Sequence, residues 1–136
     1  MILIQRRANL KKLLIALEYL QPISNSGADV LAINEKEWWH IECKGAGSGK
    51  GQTQRNNFDR ALSSVVSYYG EDSSKLPEQF KGTAQYLGLS LPVTDVYLRE
   101  LSRRVRQPLR QTLNLWVLLY DLETKRIRNV EPSQDF

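Results

Sequence analysis

Apolar positions in the first third of the chain predict a helix followed by a pair of strands. Four leucines repeat at the spacing of one helical face: Leu10, Leu13, Leu14 and Leu17. This stripe predicts an amphipathic helix over residues 5–20, which Pro22 and the polar residues after it end. Residues 28–33 and 38–44 are rich in apolar and aromatic side chains. They predict two strands, with residues 34–37 as the turn between them.

The middle of the chain predicts a loop, a second helix and a third strand. Residues 45–51 are mostly glycine and form the loop. The helix is indicated by a stripe of apolar side chains: Phe58, Ala61, Leu62, Val65, Val66 and Tyr69. Gly70 is placed to end it, and the polar residues 71–79 follow as a second loop. Residues 84–91 then predict a strand that Pro92 stops.

The last third predicts one more helix and two more strands. The helix runs from a cap at Thr94 or Asp95 to about Val105, before Pro108 breaks it. Residues 115–122 are the most apolar strand, which we expect to be central, and residues 126–130 form the last one. The predicted order is α-β-β-α-β-α-β-β, with no linker that divides the chain. This order predicts an α/β fold, a mixed β-sheet flanked by helices, in a single domain over residues 1–136.

Composition excludes several classes of protein. The chain has 136 residues, 41% hydrophobic and 25% charged, which is ordinary for a soluble globular domain. Its longest apolar runs are too short to span a bilayer, and its N-terminus lacks the order of a signal peptide, so we expect a cytoplasmic protein. One cysteine, Cys43, excludes an internal disulfide framework, and together with the one histidine, His40, it cannot form a Cys/His zinc site. A serine-type triad has only His40 available.

The net charge of +4 is compatible with a polyanionic partner, and two segments concentrate it. One segment holds five arginines against a single acid, Glu100: Arg99, Arg103, Arg104, Arg106 and Arg110. The other lies near the N-terminus: Arg6, Arg7, Lys11 and Lys12. Either segment is a solvated face or contacts the phosphates of a nucleic acid, and the sequence leaves both interpretations open.

The length of the turn sets the register of the first two strands. If residues 34–37 connect them, Ile33 faces Trp38, and Asp29 lies directly across from Glu42. Side chains alternate along a strand, so Lys44 shares the face of Glu42 while Cys43 points the other way. Two opposed carboxylates repel each other, and a bound divalent cation removes that repulsion. A bulge in either strand would shift this register.

Two carboxylates and a lysine match the needs of phosphodiester hydrolysis. The reaction requires positive charge on the phosphoryl oxygens, an activated water and a stabilised leaving oxygen. Mg²⁺ held by two carboxylates supplies the positive charge, with Mn²⁺ as the alternative ion. A neighbouring lysine orients the water or stabilises developing charge.

The segment from Gly27 to Asp29, twelve further residues, and then Glu42-Cys43-Lys44 resembles the motif of PD-(D/E)XK nucleases, the restriction-endonuclease-like class. This resemblance implies that Asp29 and Glu42 are metal ligands, that the Cys43 carbonyl is a further ligand, and that Lys44 positions the water. It also implies products with a 5′-phosphate. We expect DNA as the substrate and a homodimer, because one domain this small has a narrow footprint and cutting both strands generally needs two sites.

The same resemblance implies two further site residues. Many members of the class carry an acid on the first helix, here Glu18, and a glutamine on the helix after the motif. Gln54 is the candidate for that glutamine, with Gln52 as the alternative. Ala28 stands where a proline often precedes the first acid of the motif.

A narrower resemblance concerns the second helix. Asn57-Phe58-Asp59-Arg60-Ala61-Leu62, followed by Val66-Ser67-Tyr68-Tyr69, is similar to the pattern of cyanobacterial element-excision controlling factors, the XisH group. This resemblance implies a role in DNA rearrangement, with a recombinase or another DNA-processing protein as partner. The same pattern also arises from core packing alone.

Other signals are weaker. The glycine loop fails the Walker pattern at both ends, since Lys44 and Gly51 stand where glycine and Ser or Thr are needed. His40 is expected to pack in the hairpin rather than to transfer protons, and adjacent tryptophans, Trp38 and Trp39, are expected on opposite sides of their strand. The sequence thus predicts a metal-dependent DNA nuclease, and a nucleic-acid-binding or regulatory protein without useful catalysis is the alternative.

Overall fold

A six-stranded mixed sheet organises the computed structural model, which describes residues 21–22, 30–33, 37–45, 50–70 and 84–136. The strands are β1 (Gln21–Pro22), β2 (Val30–Ile33), β3 (Glu37–Cys43), β4 (Ala84–Pro92), β5 (Leu115–Tyr120) and β6 (Ile127–Val130). They lie side by side in sequence order. The pairings β3–β4 and β4–β5 are parallel, and the outer pairings are antiparallel.

Parallel neighbours require crossover connections, and the helices supply them. Helix α1 (Gly51–Ser67) joins β3 to β4, while α2 (Asp95–Arg104) and α3 (Gln107–Leu113) join β4 to β5. Consequently the carboxyl ends of β3 and β4 and the amino ends of α1 and α2 meet at one edge of the sheet.

Local sequence accounts for the ends of these helices. The Thr94 side chain accepts a hydrogen bond from the Tyr97 N–H and so caps α2, as the sequence predicts. Gly70, with φ of +72°, follows the end of α1. Asn114, with φ of +53°, ends α3 in the left-handed conformation that asparagine tolerates.

The core lies between the sheet and its covering helices. Its buried side chains come from one face of β4 and β5 and from the inner sides of α1 and α2; among them are Phe58, Ala61, Val65, Leu87, Leu89, Tyr97, Leu101, Val117 and Leu119. His40 pairs with Leu87 and Glu42 with Leu89, so these β3 side chains share the helix-covered face.

The opposite face of the sheet carries an aromatic cluster and a close backbone contact. Trp39 stacks on Tyr86 and meets Trp116 edge to face. A Cβ at Gly88 would lie 3.0 Å from the Ile41 side chain, so glycine gives Ile41 its space. Trp38 and Trp39 therefore point to opposite faces, as predicted, and Trp116 is half-buried.

The predicted α/β class and mixed sheet are confirmed, but the predicted order is wrong in two places. Pro22, expected in a turn, lies in β1, and α3 forms where Pro108 was expected to break a helix. Proline suits the first turn of a helix, because its missing N–H would have no partner there. The described order is β-β-β-α-β-α-α-β-β. The predicted helix over residues 5–20 lies outside the described residues.

Some residue-level expectations are also corrected. Val66 and Tyr69, predicted for the buried stripe of α1, are exposed. The strand expected over residues 115–122 ends at Tyr120 and lies between β4 and β6.

Candidate active site

The register between β2 and β3 is the one that the turn length predicts. Ile33 pairs with Trp38, and Val30 pairs with Ile41. Asp29 precedes Val30 in the sequence but lies outside the described residues, as does Glu18. The expected meeting of Asp29 and Glu42 therefore stays a prediction.

Glu42 is a buried carboxylate near the carboxyl end of β3. Glu42 is 6% exposed, and its Oε1 accepts a hydrogen bond from the Tyr68 hydroxyl at 3.2 Å. Burying a carboxylate is unfavourable unless hydrogen bonds or positive charge compensate for the lost water. A buried carboxylate at the carboxyl end of a strand is suited to holding a cation.

Cys43 and Lys44 follow Glu42 in the sequence. The Lys44 N–H donates to the Ser90 carbonyl of β4 at 3.0 Å. Because successive backbone groups of a strand point to alternate sides, the Cys43 carbonyl is directed toward β2. The Cys43 side chain is buried on the face opposite to Glu42, and Lys44 is half-buried.

Of the two candidate glutamines, Gln54 is the buried one, at 4% exposure. Its Oε1 accepts a hydrogen bond of 2.6 Å from the Thr94 hydroxyl, so it ties α1 to the cap of α2. Gln52 is exposed and bonds to Asn56 and Arg55 on its own helix. Gln54 thus lies at the edge where β3 ends, and Gln52 is engaged at the surface.

Tyr97 secures the start of the glycine loop. Its hydroxyl donates to the Gly45 carbonyl at 2.9 Å. Burial raises the pKa of the Tyr97 phenol above its usual value, and a hydrogen bond with the Asn57 side chain opposes this increase. The phenol therefore stays protonated and remains a donor. Sequence reasoning missed this residue, because its partner is 52 positions away.

A second group that sequence reasoning missed surrounds Tyr68. The Tyr68 ring stacks on His40, with centroids 5.0 Å apart, and the His40 ring lies 4.7 Å from Trp38. The Gln85 amide donates to the Tyr68 carbonyl at 2.6 Å. His40 is thus packed between two aromatic rings, which agrees with the packing interpretation of this residue.

The basic segment over residues 99–110 separates into three kinds of arginine. Arg99, Arg103 and Arg106 are exposed. Arg104 pairs with Asp59 of α1 and with Glu100, and these two acids raise the pKa of its guanidinium. Its contacts tie α2 to α1.

Arg110 corrects the prediction that all five arginines belong to one surface. It is 1% exposed, and its guanidinium donates to three backbone carbonyls, those of Val105, Glu131 and Gln134. It also lies over the Phe136 ring, 4.4 Å from the centroid. This arginine fastens the C-terminal segment and is inaccessible to a nucleic acid.

Within the described part of the chain, no three His, Cys, Asp or Glu side chains cluster closely enough to hold a metal ion. The second carboxylate of the predicted site, Asp29, is outside that part. The donors that are described, the Glu42 carboxylate and the Cys43 carbonyl, are the oxygen ligands that Mg²⁺ prefers. The described helices include none that is both long and apolar enough to cross a bilayer.

Comparison with solved structures identifies a relative of this fold. No protein-family model matches the chain, and no curated protein does. The crystal structure of an XisH family protein from Nostoc punctiforme PCC 73102 matches with a TM-score of 0.50 and 21% sequence identity. The match covers 87% of this chain and 92% of that chain. The likeness to the XisH group is therefore supported at the level of the fold.

Proposed function

We propose that this chain is a metal-dependent nuclease that hydrolyses DNA phosphodiester bonds. The observation that carries the proposal is the buried Glu42 carboxylate at the end of β3, on a strand whose pairing with β2 follows the predicted register. If the same register continued by one residue, Asp29 would lie opposite Glu42. The orientation of the Cys43 carbonyl toward β2 adds a third oxygen donor on the same side.

The metal ion in this proposal is Mg²⁺ or Mn²⁺, held by Asp29, Glu42 and the Cys43 carbonyl. When bound, it supplies positive charge for the phosphoryl oxygens and lowers the pKa of a water molecule. The same positive charge also offsets the repulsion between the Asp29 and Glu42 carboxylates, which are opposed in this proposal. Glu18 is a further candidate ligand.

The remaining chemistry falls to Lys44 and Gln54. The Lys44 ammonium group orients the attacking water and stabilises the negative charge that develops on the phosphoryl group. The Gln54 amide group is held by Thr94 through its oxygen, so its nitrogen has a set direction near the edge of the site. This arrangement suits a hydrogen bond to the water or to a phosphate oxygen.

DNA is the proposed substrate because the exposed arginines offer sites for backbone phosphates. Arg99 and Arg103 are four residues apart on one side of α2, and Arg106 follows in the link to α3. α2 begins at the same sheet edge as the proposed active site. We also propose a homodimer, since one copy of a domain this small carries one site and a duplex has two strands.

A cleavage assay tests the proposal. Linear duplex, branched and single-stranded DNA are incubated with the protein in Mg²⁺ or Mn²⁺, and with EDTA. We expect metal-dependent cutting that is abolished in Asp29→Ala and Lys44→Ala. The Arg126→Ala variant, which removes an exposed positive charge elsewhere, should cut like the wild type. Equal cutting by the wild type and Lys44→Ala would overturn the proposal.

The second candidate function is a DNA-binding or regulatory factor with no useful catalysis, acting with a recombinase. The exposed arginines of α2 favour it, since they serve DNA binding whether or not a bond is cut. DNA affinity without metal binding in calorimetry would favour this candidate over the nuclease.

A further inference from the structure

We infer that Tyr68 is a positioning residue that orients the Glu42 carboxylate and so sets the metal affinity of the site. This inference rests on the proposed function, in which Glu42 is a metal ligand. The Tyr68 hydroxyl donates to Glu42 Oε1 at 3.2 Å, across 26 residues of sequence. It reaches Glu42 from the end of α1, the crossover helix that covers this face of β3.

Gln85 of β4 holds the backbone on the C-terminal side of Tyr68. Gln85 Nε2 donates to the Tyr68 carbonyl at 2.6 Å, and Gln85 Oε1 accepts from the Gly70 N–H at 2.9 Å. The Tyr68 N–H itself donates to the Val65 carbonyl at 3.2 Å. The turn that ends α1 is therefore bound to β4, the parallel neighbour of the strand that carries Glu42.

The ring of Tyr68 is held by a stack of aromatic groups. The Tyr68 ring stacks on the His40 ring, with centroids 5.0 Å apart and an angle of 18° between the planes. The Trp38 ring lies 4.7 Å from the His40 ring, centroid to centroid. His40 and Trp38 are both almost fully buried. Two side-chain torsions place the hydroxyl oxygen of a tyrosine, so a fixed backbone and a fixed ring plane also fix the position of that oxygen.

A hydrogen bond of this kind is compatible with metal binding. An ionised carboxylate offers about four lone-pair sites, and the Tyr68 hydroxyl uses one of them. Residues that donate hydrogen bonds to metal-ligating carboxylates hold them in position, and losing such a residue weakens metal affinity by roughly 10–100-fold. Tyr68 meets this description.

A purely structural role makes a different prediction. If the Tyr68 hydroxyl only satisfies a buried carboxylate, its removal lowers the stability of the fold and leaves metal affinity unchanged. Metal affinity therefore separates the two roles, and it can be measured without any assay of DNA cleavage.

The experiment is a calorimetric titration of Mn²⁺ into the wild type, Tyr68→Phe and Tyr69→Phe. Phenylalanine keeps the ring on His40 and removes only the hydroxyl. Tyr69 is the matched control, because it is the next residue and is 53% exposed. We expect Mn²⁺ to bind Tyr68→Phe about tenfold more weakly than the wild type, and Tyr69→Phe to bind it equally well.

A second variant covers the case in which Tyr68→Phe does not fold. Gln85→Met keeps the length of the side chain and removes both hydrogen bonds to the end of α1, so Tyr68 loses its anchor. We expect severalfold weaker Mn²⁺ binding. Wild-type affinity in folded Tyr68→Phe, or in folded Gln85→Met where the first variant fails, overturns this inference and leaves the proposed function standing. A wild type that binds no Mn²⁺ overturns the proposed function itself.

Discussion

The arginines between residues 99 and 110 differ in what surrounds each guanidinium group. Arg99 and Arg103 are exposed, with an Arg103 nitrogen 4.0 Å from a Glu100 oxygen. Arg104 is tied to the acids Asp59 and Glu100. Arg110 is enclosed by backbone carbonyls. Identical residue types thus serve a surface, a contact between helices and an internal anchor.

The buried position of Arg110 leads to a stability prediction. In Arg110→Met the stem remains and the donors are lost, so three carbonyl groups lose their hydrogen-bond partners. We expect the free energy of unfolding to fall by about 3 kcal/mol, measured by chemical denaturation. Arg106→Met, at an exposed position, should change it by less than about 0.5 kcal/mol. Equal effects of the two substitutions would contradict the anchoring role.

At the scale of elements, the crossover helices bring distant residues to one edge of the sheet. Gln54 comes from the first turn of α1, and Thr94 caps α2, yet their side chains share a hydrogen bond of 2.6 Å. Thr94 also accepts from the Tyr97 N–H at 3.1 Å. One threonine therefore supports both the start of a helix and the contact between two helices.

Replacing Thr94 tests this double role. Thr94→Ala removes the cap of α2 and leaves the buried Gln54 oxygen without its donor. We expect a loss of about 2 kcal/mol in the free energy of unfolding, read from urea denaturation. Thr112→Ala is the control, because Thr112 is exposed and its hydroxyl donates to the Pro108 carbonyl within its own helix. A loss in Thr94→Ala no larger than in the control would show that the cap contributes little.

Elements built on local patterns were predictable from the sequence, and long-range contacts were not. The apolar stripe located α1, and the length of the turn fixed the pairing of β2 with β3. Pro108 misled, because a proline that starts a helix and one that ends it look the same in the sequence.

The candidate site was likewise predictable only in part. The spacing of Glu42 and Lys44 in the sequence pointed to the candidate site, and its second carboxylate, Asp29, stays a prediction. Tyr68 could not be inferred, because its contact with Glu42 depends on where a 17-residue helix ends against the sheet. The sequence around Tyr68 and Glu42 gives no indication that the two side chains lie close together.

At the scale of the whole molecule, the positive charges on α2 suggest how the proposed substrate, DNA, reaches the proposed site. The carboxyl ends of two parallel strands and the amino ends of two helices converge, and such edges of α/β sheets commonly bind ligands. α2 begins there and carries Arg99 and Arg103 on its outer side. The proposed DNA path follows this helix.

This path predicts a change in the salt dependence of binding. Arg99→Gln and Arg103→Gln should each lower the slope of log affinity for duplex DNA against log salt by about 0.9, one phosphate contact per residue. The slope is measured by fluorescence anisotropy across a salt series in EDTA, so that no cutting occurs. Arg126→Gln, which removes an equal charge in the link between β5 and β6, should leave the slope as it is. Equal reductions in all three variants would point to net charge rather than a defined path.

The stoichiometry of Mn²⁺ binding shows whether Asp29 and Glu42 share one divalent cation. We predict one Mn²⁺ per wild-type chain in isothermal titration, and loss of that binding in both Glu42→Gln and Asp29→Asn while circular dichroism shows an intact fold. Wild-type Mn²⁺ binding in either folded variant would contradict a cation shared by the two carboxylates.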